Sequence, residues 1–195
     1  MRPTAWLAIA LLATLIGALA VWHEERGIEQ TREASAHRTF SLLDQQGHTI
    51  TDQTFRGEWL IVFFGYTSCP DFCPTTLFLL HQTLQKLQGR ARSVRVLFIT
   101  VDPERDTPEK LAAYLLNLGP KFVGGTGTEQ QIEAAKQAFR AYSRKQSAGA
   151  DGWYAVDHST QLYVMDPDGR LARQLSSQST PEQLAMSLRT LIDHS

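Results

Sequence analysis

From residue 40 onward, the chain alternates between continuous apolar runs and segments with helical spacing. Residues 59–64 are entirely apolar and residues 94–101 nearly so, which is typical of strands buried on both faces of a sheet. Between them, apolar side chains recur at intervals of three and four across residues 74–87, and this spacing predicts a helix. The pattern therefore indicates an alternating α/β domain.

Turn and capping signals divide the rest of the domain. Turn residues at 44–47 and 166–169, each between apolar runs, predict two β-hairpins. Thr107 precedes a proline that suits the first turn of a helix. Thr128 and Thr180 each precede a glutamine by three residues, the spacing of a capping box. The helices that these signals open are expected to end near Leu118, Tyr142 and Asp193.

The predicted order of elements indicates the fold class. A β-hairpin is followed by three β-α units, then by a second hairpin and a last helix, without any internal repeat. This order points to an α/β thioredoxin-like fold, in which helices flank both faces of a central mixed β-sheet. We assign residues 39–195 to this domain.

The N-terminal segment has a different pattern. Residues 4–22 carry no charge, and as a helix they would extend about 28 Å, close to the hydrocarbon thickness of a bilayer. Arg2 precedes the run, so the positive-inside tendency places the N-terminus in the cytoplasm. Residues 1–22 are therefore predicted to form a single-pass anchor helix in the inner membrane, with the following domain in the periplasm.

A cleaved signal peptide is the alternative to an anchor. Ala18-Leu19-Ala20 resembles the small-x-small pattern of a cleavage site, so the sequence leaves both interpretations open. In either case the bulk of the chain is expected to be exported. Residues 23–38 are polar and charged without a face to bury, and we interpret them as a tether.

Composition narrows the functional classes. The 195 residues include 19 basic and 20 acidic side chains, and no block of like charge marks a nucleic-acid-binding protein. Two cysteines are too few for a disulfide framework or for a zinc site made of four thiolates. Functional cysteines would therefore act as a pair or together with other ligands.

The candidate chemistry lies directly after the first buried strand, in residues 65–74, which contain two Cys-Pro dipeptides. Because Pro74 is tolerated only in the first turn of a helix, Cys73 is expected near a helix N-terminus. Backbone N–H groups and the helix dipole there are expected to lower the cysteine pKa. The spacing of Cys69 and Cys73 places both sulfurs on one side of a helical turn, close enough to form a disulfide or to share a metal.

The residues alone leave several roles open for this pair, including two inert cysteines, a structural disulfide, a redox pair or a metal site. A disulfide across so short a loop would gain little loop-closure entropy. A metal site would need further ligands. The histidines of the chain are His23, His37, His48, His81, His158 and His194. His81 lies about 12 Å from Cys73 along the predicted helix, too far to share its metal, and spacing alone does not distinguish His158 from a structural histidine.

Residues 65–74 resemble the metal-binding segment of the Sco/SenC family of copper-binding cytochrome c oxidase assembly proteins. Further segments at 101–108, 124–127 and 156–159, the last followed by the turn at 166–169, resemble the same family in the same order. Four motifs in sequence are much more specific than the two-cysteine motif alone. The resemblance extends from about Phe40 to Asp193.

The resemblance implies a thioredoxin-like fold that binds one copper ion, Cu(I) or Cu(II), through Cys69, Cys73 and His158. The two cysteines are also expected to be redox-active and able to form a disulfide. Ser68 stands where some family members have His or Phe, but the position is not a family ligand. Asp157 either fixes the imidazole tautomer from beside the histidine or is a solvated carboxylate at the end of a strand.

The resemblance further implies a membrane-anchored periplasmic copper chaperone that helps metallate the dinuclear copper centre of cytochrome c oxidase. The expected partners are the copper-centre subunit of the oxidase, other periplasmic copper chaperones and thioredoxin-like reductants. The alternative is a thiol–disulfide oxidoreductase that reduces the copper-ligand cysteines of the oxidase without carrying copper. Whether the protein is also an enzyme in this sense stays open at this point.

Overall fold

The structure is a computed structural model that describes residue 22 and residues 38–194. By its internal contacts, the chain divides into two compact units, Met1–Ala36 and His37–Ser195. All of the strands and helices described below belong to the second unit.

The predicted anchor at residues 1–22 and the predicted tether at residues 23–38 lie outside the described residues, except for Trp22 and Arg38. Within the part of the chain that the structure describes, no helix is both long enough and apolar enough to cross a bilayer. The anchor therefore stays a prediction from the sequence.

The second unit contains nine strands and four α-helices along residues 38–194. The strands are β1 (Ser41–Asp44), β2 (Thr49–Thr51), β3 (Trp59–Gly65), β4 (Val94–Thr100), β5 (Phe122–Thr126), β6 (Ser143–Lys145), β7 (Val156–His158), β8 (Gln161–Met165) and β9 (Leu171–Ser176). The helices are α1 (Phe72–Leu87), α2 (Pro108–Leu115), α3 (Glu129–Phe139) and α4 (Pro181–Asp193).

Seven strands form one mixed sheet in the order β2-β1-β5-β4-β3-β8-β9. β3, β4 and β5 are parallel to one another, whereas β1 pairs with β5 and β8 pairs with β3 in antiparallel fashion. The two predicted hairpins, β1–β2 and β8–β9, form the two edges of the sheet. The predicted central mixed sheet is confirmed.

Successive residues of the central strands face two separate apolar cores, one on each side of the sheet. In β3, Phe63 packs with residues of α1, α2 and α4, whereas Phe64 packs with residues of α3. Both rings are fully buried, and burying such a side chain contributes roughly 1.5–3 kcal/mol. Helices therefore cover both faces, in agreement with the predicted thioredoxin-like arrangement.

The predicted helix starts are confirmed by their caps. The hydroxyl of Thr128 accepts a hydrogen bond from the N–H of Gln131, whose side-chain oxygen accepts one from the N–H of Thr128. Thr180 caps α4 in the same reciprocal way, and the hydroxyl of Thr107 caps α2. α3 ends earlier than predicted because Arg140 adopts a left-handed conformation with φ of 52°.

One strand pair lies outside the main sheet and is not among the predicted elements. β6 and β7 form a two-stranded antiparallel sheet in which Ser143 pairs with His158. We call this pair the histidine ribbon. His158 therefore ends a strand of its own, which is separate from β8.

Candidate metal centre

The two cysteines lie where the chain passes from β3 into α1, in residues 65–73, which we call the cysteine loop. Cys69 is in the irregular part and Cys73 in the first turn of α1. The N–H of Cys73 donates a hydrogen bond of 3.5 Å to Sγ of Cys69. The N–H of Cys69 donates one of 3.2 Å to the carbonyl oxygen of Tyr66. Both cysteines are free thiols.

Gly65 allows α1 to approach the end of β3 closely. A Cβ at this position would lie 2.7 Å from Sγ of Cys73 and 2.6 Å from Cε2 of Phe98, far inside van der Waals contact. The missing side chain therefore lets the Cys73 sulfur pack against the end of the strand. Sequence reasoning assigned this glycine no role, although a glycine in a buried strand often marks such an approach.

A fully buried carboxylate fixes the middle of the cysteine loop. Asp106 accepts hydrogen bonds from the backbone N–H and the hydroxyl of Thr67, at 2.8 and 2.6 Å. It also accepts one of 2.7 Å from the hydroxyl of Thr100, and Nζ of Lys110 lies 3.7 Å away. These contacts give a physical role to the segment 101–108, which the sequence connected to the site only by resemblance.

The histidine ribbon brings His158 to the cysteine loop, although the residue lies 85 positions from Cys73 along the chain. Nε2 of His158 lies 3.6 Å from Sγ of Cys73. The ligand atoms of Cys69, Cys73 and His158 are all within 4.8 Å of one another, so the three side chains could hold one metal ion. Among residues 38–194, no other set of three such side chains meets this condition.

The hydrogen bonds of His158 determine which ring nitrogen faces the sulfurs. Nδ1 lies 2.9 Å from the carbonyl oxygen of Ser159, and because a carbonyl oxygen only accepts, Nδ1 carries the hydrogen. In the neutral ring, Nε2 is then unprotonated and accepts a hydrogen bond from the thiol of Cys73. A metal ion held by these two residues would replace the proton of this contact.

Asp157 does not fix this tautomer, contrary to one of the two interpretations of the sequence. Its carboxylate accepts a hydrogen bond from the side chain of Gln146 and lies 3.5 Å from Nη2 of Arg144. The backbone carbonyl of Ser159 holds the ring instead. Asp157 is the solvated, ion-paired carboxylate of the other interpretation, because its side chain is about half exposed.

Three aromatic rings surround the imidazole of His158. The ring centroids of Phe63, Tyr66 and Phe72 lie 6.2, 5.9 and 6.0 Å from it, each with an edge-on geometry. Burial among these rings lowers the pKa of His158, because desolvation disfavours the imidazolium form. The ring is therefore neutral near pH 7 and able to act as a ligand.

A network around Arg105 joins the histidine ribbon to the loop after β4. Asp102 accepts hydrogen bonds from Nε of Arg105 and, at 2.9 Å, from the hydroxyl of Tyr154. The guanidinium of Arg105 lies 3.6 Å from the centroid of the Tyr154 ring and donates a bond of 3.1 Å to the Tyr154 carbonyl. Two residues before His158 along the ribbon, the N–H of Val156 donates to the hydroxyl of Tyr66 at 3.3 Å.

At Cys73, the effect of burial on the pKa outweighs the effect of the helix N-terminus. The side chain is fully buried, and desolvation, with a smaller contribution from the charge of Cys69, raises the pKa of Cys73. The predicted lowering of this pKa is therefore wrong. The N–H group at the start of α1 is directed at the sulfur of Cys69 instead. Metal binding at Cys73 must displace a proton from the thiol.

The other described histidines lie apart from the three ligands. They are His48 in the first hairpin, His81 on α1 and His194 after α4. The side chain of His81 contacts the carbonyl oxygen of Leu118 at 3.3 Å, and it does not join the metal-competent group, as predicted. His23 and His37 lie outside the described residues.

Two thiols and a neutral imidazole form a soft set of ligands. Sulfur ligands suit Cu(I), and the imidazole makes the set suitable for Cu(II) as well. A structural zinc site would need a fourth protein ligand, and none joins these three within residues 38–194. The site is therefore suited to copper, and its two sulfurs are also suited to thiol–disulfide exchange.

Known proteins resemble this chain in sequence and in fold. The SCO1/SenC family model matches residues 28–193. The Protein SCO2 homolog, mitochondrial, of Bos taurus is 37% identical over 194 residues, which cover 92% of this chain and 73% of the relative.

Two solved structures with copper bound are also similar. Bradyrhizobium japonicum ScoI gives a TM-score of 0.72 at 38% identity, covering 79% of this chain and 98% of that protein. Yeast Sco1 gives a TM-score of 0.76 at 31% identity, covering 83% of this chain and 90% of that one. On this evidence, the chain belongs to the SCO1/SenC family.

Proposed function

We propose that the protein is a membrane-anchored periplasmic copper chaperone that helps assemble the dinuclear copper centre of cytochrome c oxidase. It binds one copper ion per chain through Cys69, Cys73 and His158. The observation that carries this proposal is the convergence of two free thiols and a neutral imidazole within 4.8 Å. Copper-bound relatives in the same family support the choice of metal.

Copper binding exchanges protons for the metal ion. Both thiols lose their protons, including the one that Cys73 shares with Nε2 of His158. The imidazole contributes a lone pair without losing a proton, because Nδ1 keeps its hydrogen on the carbonyl oxygen of Ser159. The affinity for copper therefore depends chiefly on the cysteines, and the histidine adds selectivity for Cu(II).

Three ligands leave copper accessible to a partner. Cys69 is only partly buried, and the next two residues, Pro70 and Asp71, are exposed. A thiolate of the copper-centre subunit can approach from this side and replace the ligands one at a time. Other periplasmic copper chaperones would load the site by the reverse exchange.

Anaerobic titration of the purified, reduced full chain tests the proposal. We expect one Cu(I) or one Cu(II) per chain, with a thiolate-to-Cu(II) charge-transfer band in the visible spectrum. Cys69→Ser or Cys73→Ser abolishes tight binding of both ions, whereas His158→Ala keeps part of the Cu(I) affinity and loses the Cu(II) band.

His48→Ala is the matched control, because His48 is an exposed histidine of the first hairpin. It should bind both ions like the parent chain. Equal Cu(II) affinity in His158→Ala and in the parent would contradict the proposed ligand set.

The proposed location rests on the uncharged residues 4–22 and on Arg2 before them. An anchored chain should stay in the membrane fraction after carbonate extraction, and protease added to spheroplasts should digest its domain. Recovery of a shortened chain in the soluble periplasmic fraction would instead indicate a cleaved signal peptide.

A thiol–disulfide oxidoreductase is the second candidate, favoured by the two free thiols of the cysteine loop, one of which lies in the first turn of α1. Cys69 and Cys73 would be oxidised to a disulfide, while a disulfide between two copper-ligand cysteines of the oxidase is reduced to two thiols. Two electrons and two protons pass from one pair to the other, and a thioredoxin-like reductant regenerates the chain. This reaction does not use His158 as a ligand, so disulfide exchange that persists in His158→Ala while the Cu(II) band is lost would distinguish it from copper delivery.

A further inference from the structure

Tyr66, near the start of the cysteine loop, contacts both parts of the candidate metal centre. Its carbonyl oxygen accepts a hydrogen bond of 3.2 Å from the N–H of Cys69. Its ring lies 5.9 Å from the imidazole of His158 between centroids, at an interplanar angle of 89°. Its hydroxyl accepts a hydrogen bond of 3.3 Å from the N–H of Val156, which is in the same strand as His158. One residue therefore joins the cysteine loop to the histidine ribbon.

The ladder of the histidine ribbon explains why the N–H of Val156 needs a partner outside the ribbon. The N–H of Gln146 donates a hydrogen bond of 2.8 Å to the carbonyl oxygen of Ala155. In an antiparallel pair of strands, positions that exchange hydrogen bonds alternate with positions that do not. The next position along, Val156, is therefore one whose N–H points away from β6, and the hydroxyl of Tyr66 accepts the hydrogen bond instead.

This hydrogen bond lies two residues before the candidate ligand His158 in the same strand. Residues two apart in a strand point to the same side of it, so the side chains of Val156 and His158 both face the domain. Val156 and Tyr66 are buried in the same apolar core, and Nε2 of His158 lies 3.6 Å from Sγ of Cys73. Because a strand rises by about 3.3 Å per residue, the bond at Val156 fixes the strand close to the imidazole.

We propose that Tyr66 is a positioning residue for the copper site, and that its hydroxyl holds the histidine ribbon so that His158 stays within reach of the cysteine sulfurs. This inference rests on the proposed function. The contact of Tyr66 with Cys69 is made by the backbone carbonyl, so the hydroxyl acts on the third ligand alone. Since the imidazole is the ligand that suits Cu(II), the hydroxyl raises the affinity for Cu(II) relative to the affinity for Cu(I).

Tyr66→Phe separates the hydroxyl from the rest of the residue. The ring beside His158 and the carbonyl oxygen that accepts from Cys69 both remain. The buried N–H of Val156 loses the hydroxyl as its acceptor, and a buried donor without a partner is unfavourable. The strand that carries His158 is therefore expected to move away from Tyr66 in this variant.

Two further variants serve as controls. Tyr142→Phe removes the hydroxyl of an exposed tyrosine and should match the parent in every measurement. Val94→Ala shortens a fully buried side chain at the first residue of β4, which pairs with Trp59 at the end of β3 remote from the cysteine loop. Val94→Ala should lower the midpoint of chemical denaturation without changing the ratio of Cu(II) affinity to Cu(I) affinity.

The first arm of the test measures amide hydrogen exchange in the metal-free, reduced full chain. Tyr66→Phe should speed the exchange of the Val156 N–H about fivefold, the size of one hydrogen bond. The N–H of Gln146 should exchange at the parent rate, because its bond to Ala155 lies within the ribbon. An unchanged exchange rate at Val156 would show that the hydroxyl does not hold the ribbon and would overturn the inference.

The second arm measures copper binding by competition with a chelator for each oxidation state. Tyr66→Phe should bind Cu(II) about tenfold more weakly than the parent, as expected when a residue that orients a metal ligand is changed. Its Cu(I) affinity should stay within about twofold of the parent value, because both sulfurs are retained. Electron paramagnetic resonance of the Cu(II) form should show a weaker nitrogen contribution, which Val94→Ala should not show.

The outcomes separate this inference from the proposed function. If the parent binds one copper and Tyr66→Phe loses affinity for Cu(I) and Cu(II) equally, or for neither, the role of Tyr66 is wrong and the proposed function stands. If the parent binds no copper, the proposed function is wrong, and the inference fails with it whatever the exchange rate at Val156.

Discussion

The cysteine loop and the histidine ribbon reach the same site by different routes. The cysteine loop continues directly from β3, which is hydrogen-bonded to β4 on one side and to β8 on the other. The histidine ribbon is a separate two-stranded sheet. Side-chain contacts of Arg105 and Tyr66 join it to the rest of the domain.

This difference separates two properties of the candidate site. The position of the sulfurs depends on the packing of the central sheet and is inseparable from folding. The position of the imidazole depends on the histidine ribbon, which lies outside the ladder of the central sheet and is held by side-chain hydrogen bonds and by the burial of Val156 in the core. We therefore expect changes near the cysteine loop to affect stability most, and changes at the ribbon to affect Cu(II) most.

The largest effect is expected for Gly65→Ala, which tests how tightly the cysteine loop depends on the sheet. The added methyl group would overlap Sγ of Cys73 and the ring of Phe98, and such overpacking costs up to about 3 kcal/mol. Urea denaturation of the metal-free chain measures this loss in the free energy of unfolding.

Gly89→Ala is the matched control for that substitution, because a Cβ at Gly89 would meet nothing within 4 Å. Its free energy of unfolding should stay within about 0.5 kcal/mol of the parent value. Equal free energies of unfolding for Gly65→Ala and Gly89→Ala would contradict the close approach of α1 to the end of β3.

Arg105→Ala tests whether the ribbon is held by its side-chain network. The substitution removes the bonds to Asp102 and to the carbonyl of Tyr154, and we expect a loss of about 2 kcal/mol in stability. Since the ribbon carries His158, Cu(II) affinity should fall roughly 10- to 100-fold, while Cu(I) affinity falls less. Electron paramagnetic resonance of the Cu(II) form should show a weaker nitrogen contribution.

Arg170→Ala removes an arginine from an exposed ion pair with Asp168 and serves as the control for loss of charge. This substitution should lower the free energy of unfolding by less than about 1 kcal/mol and leave the Cu(II) spectrum unchanged. A parallel loss of Cu(I) and Cu(II) affinity in Arg105→Ala would remove the distinction between the two regions.

The smallest effect is expected for Asp157→Asn, which tests whether Asp157 contributes to the tautomer of His158. Because Ser159 holds Nδ1 of His158 and Asp157 contacts Arg144 and Gln146 instead, the tautomer should not change. We expect Cu(II) affinity within about twofold of the parent, since only an exposed ion pair is altered. A tenfold loss would restore the role that the sequence suggested for Asp157.

The same two regions show how much the sequence predicts. The hairpins, the buried strands and the capped starts at Thr107, Thr128 and Thr180 follow from local signals, and all are present in the structure. The cysteine pair is also local, since its spacing and its two prolines place it at the start of a helix. These features required no knowledge of distant contacts.

The histidine ribbon could not be predicted in this way. Its first strand, Ser143–Lys145, is short and polar, and its partner begins only at Val156. Tyr66 and Arg105, which contact Val156 and the nearby Tyr154, lie far away in the sequence. His158 was therefore identified by family resemblance and not by spacing.

The prediction of a lowered pKa for Cys73 was wrong for a related reason. The sequence shows that the residue lies at a helix terminus, but it does not show that the end of β3 and the Phe98 ring surround its sulfur. Desolvation is a property of the assembled core, and at this position it outweighs the local dipole.

The close approach at Gly65 also has an evolutionary consequence. The ring of Phe98 and the sulfur of Cys73 occupy the space that any side chain at position 65 would need, so substitutions at these positions are not additive. On the proposed function Cys73 cannot change, so its sulfur keeps this space filled even where Phe98 is replaced by a smaller residue. Position 65 is therefore confined to glycine for as long as the function of the protein requires the sulfur of Cys73.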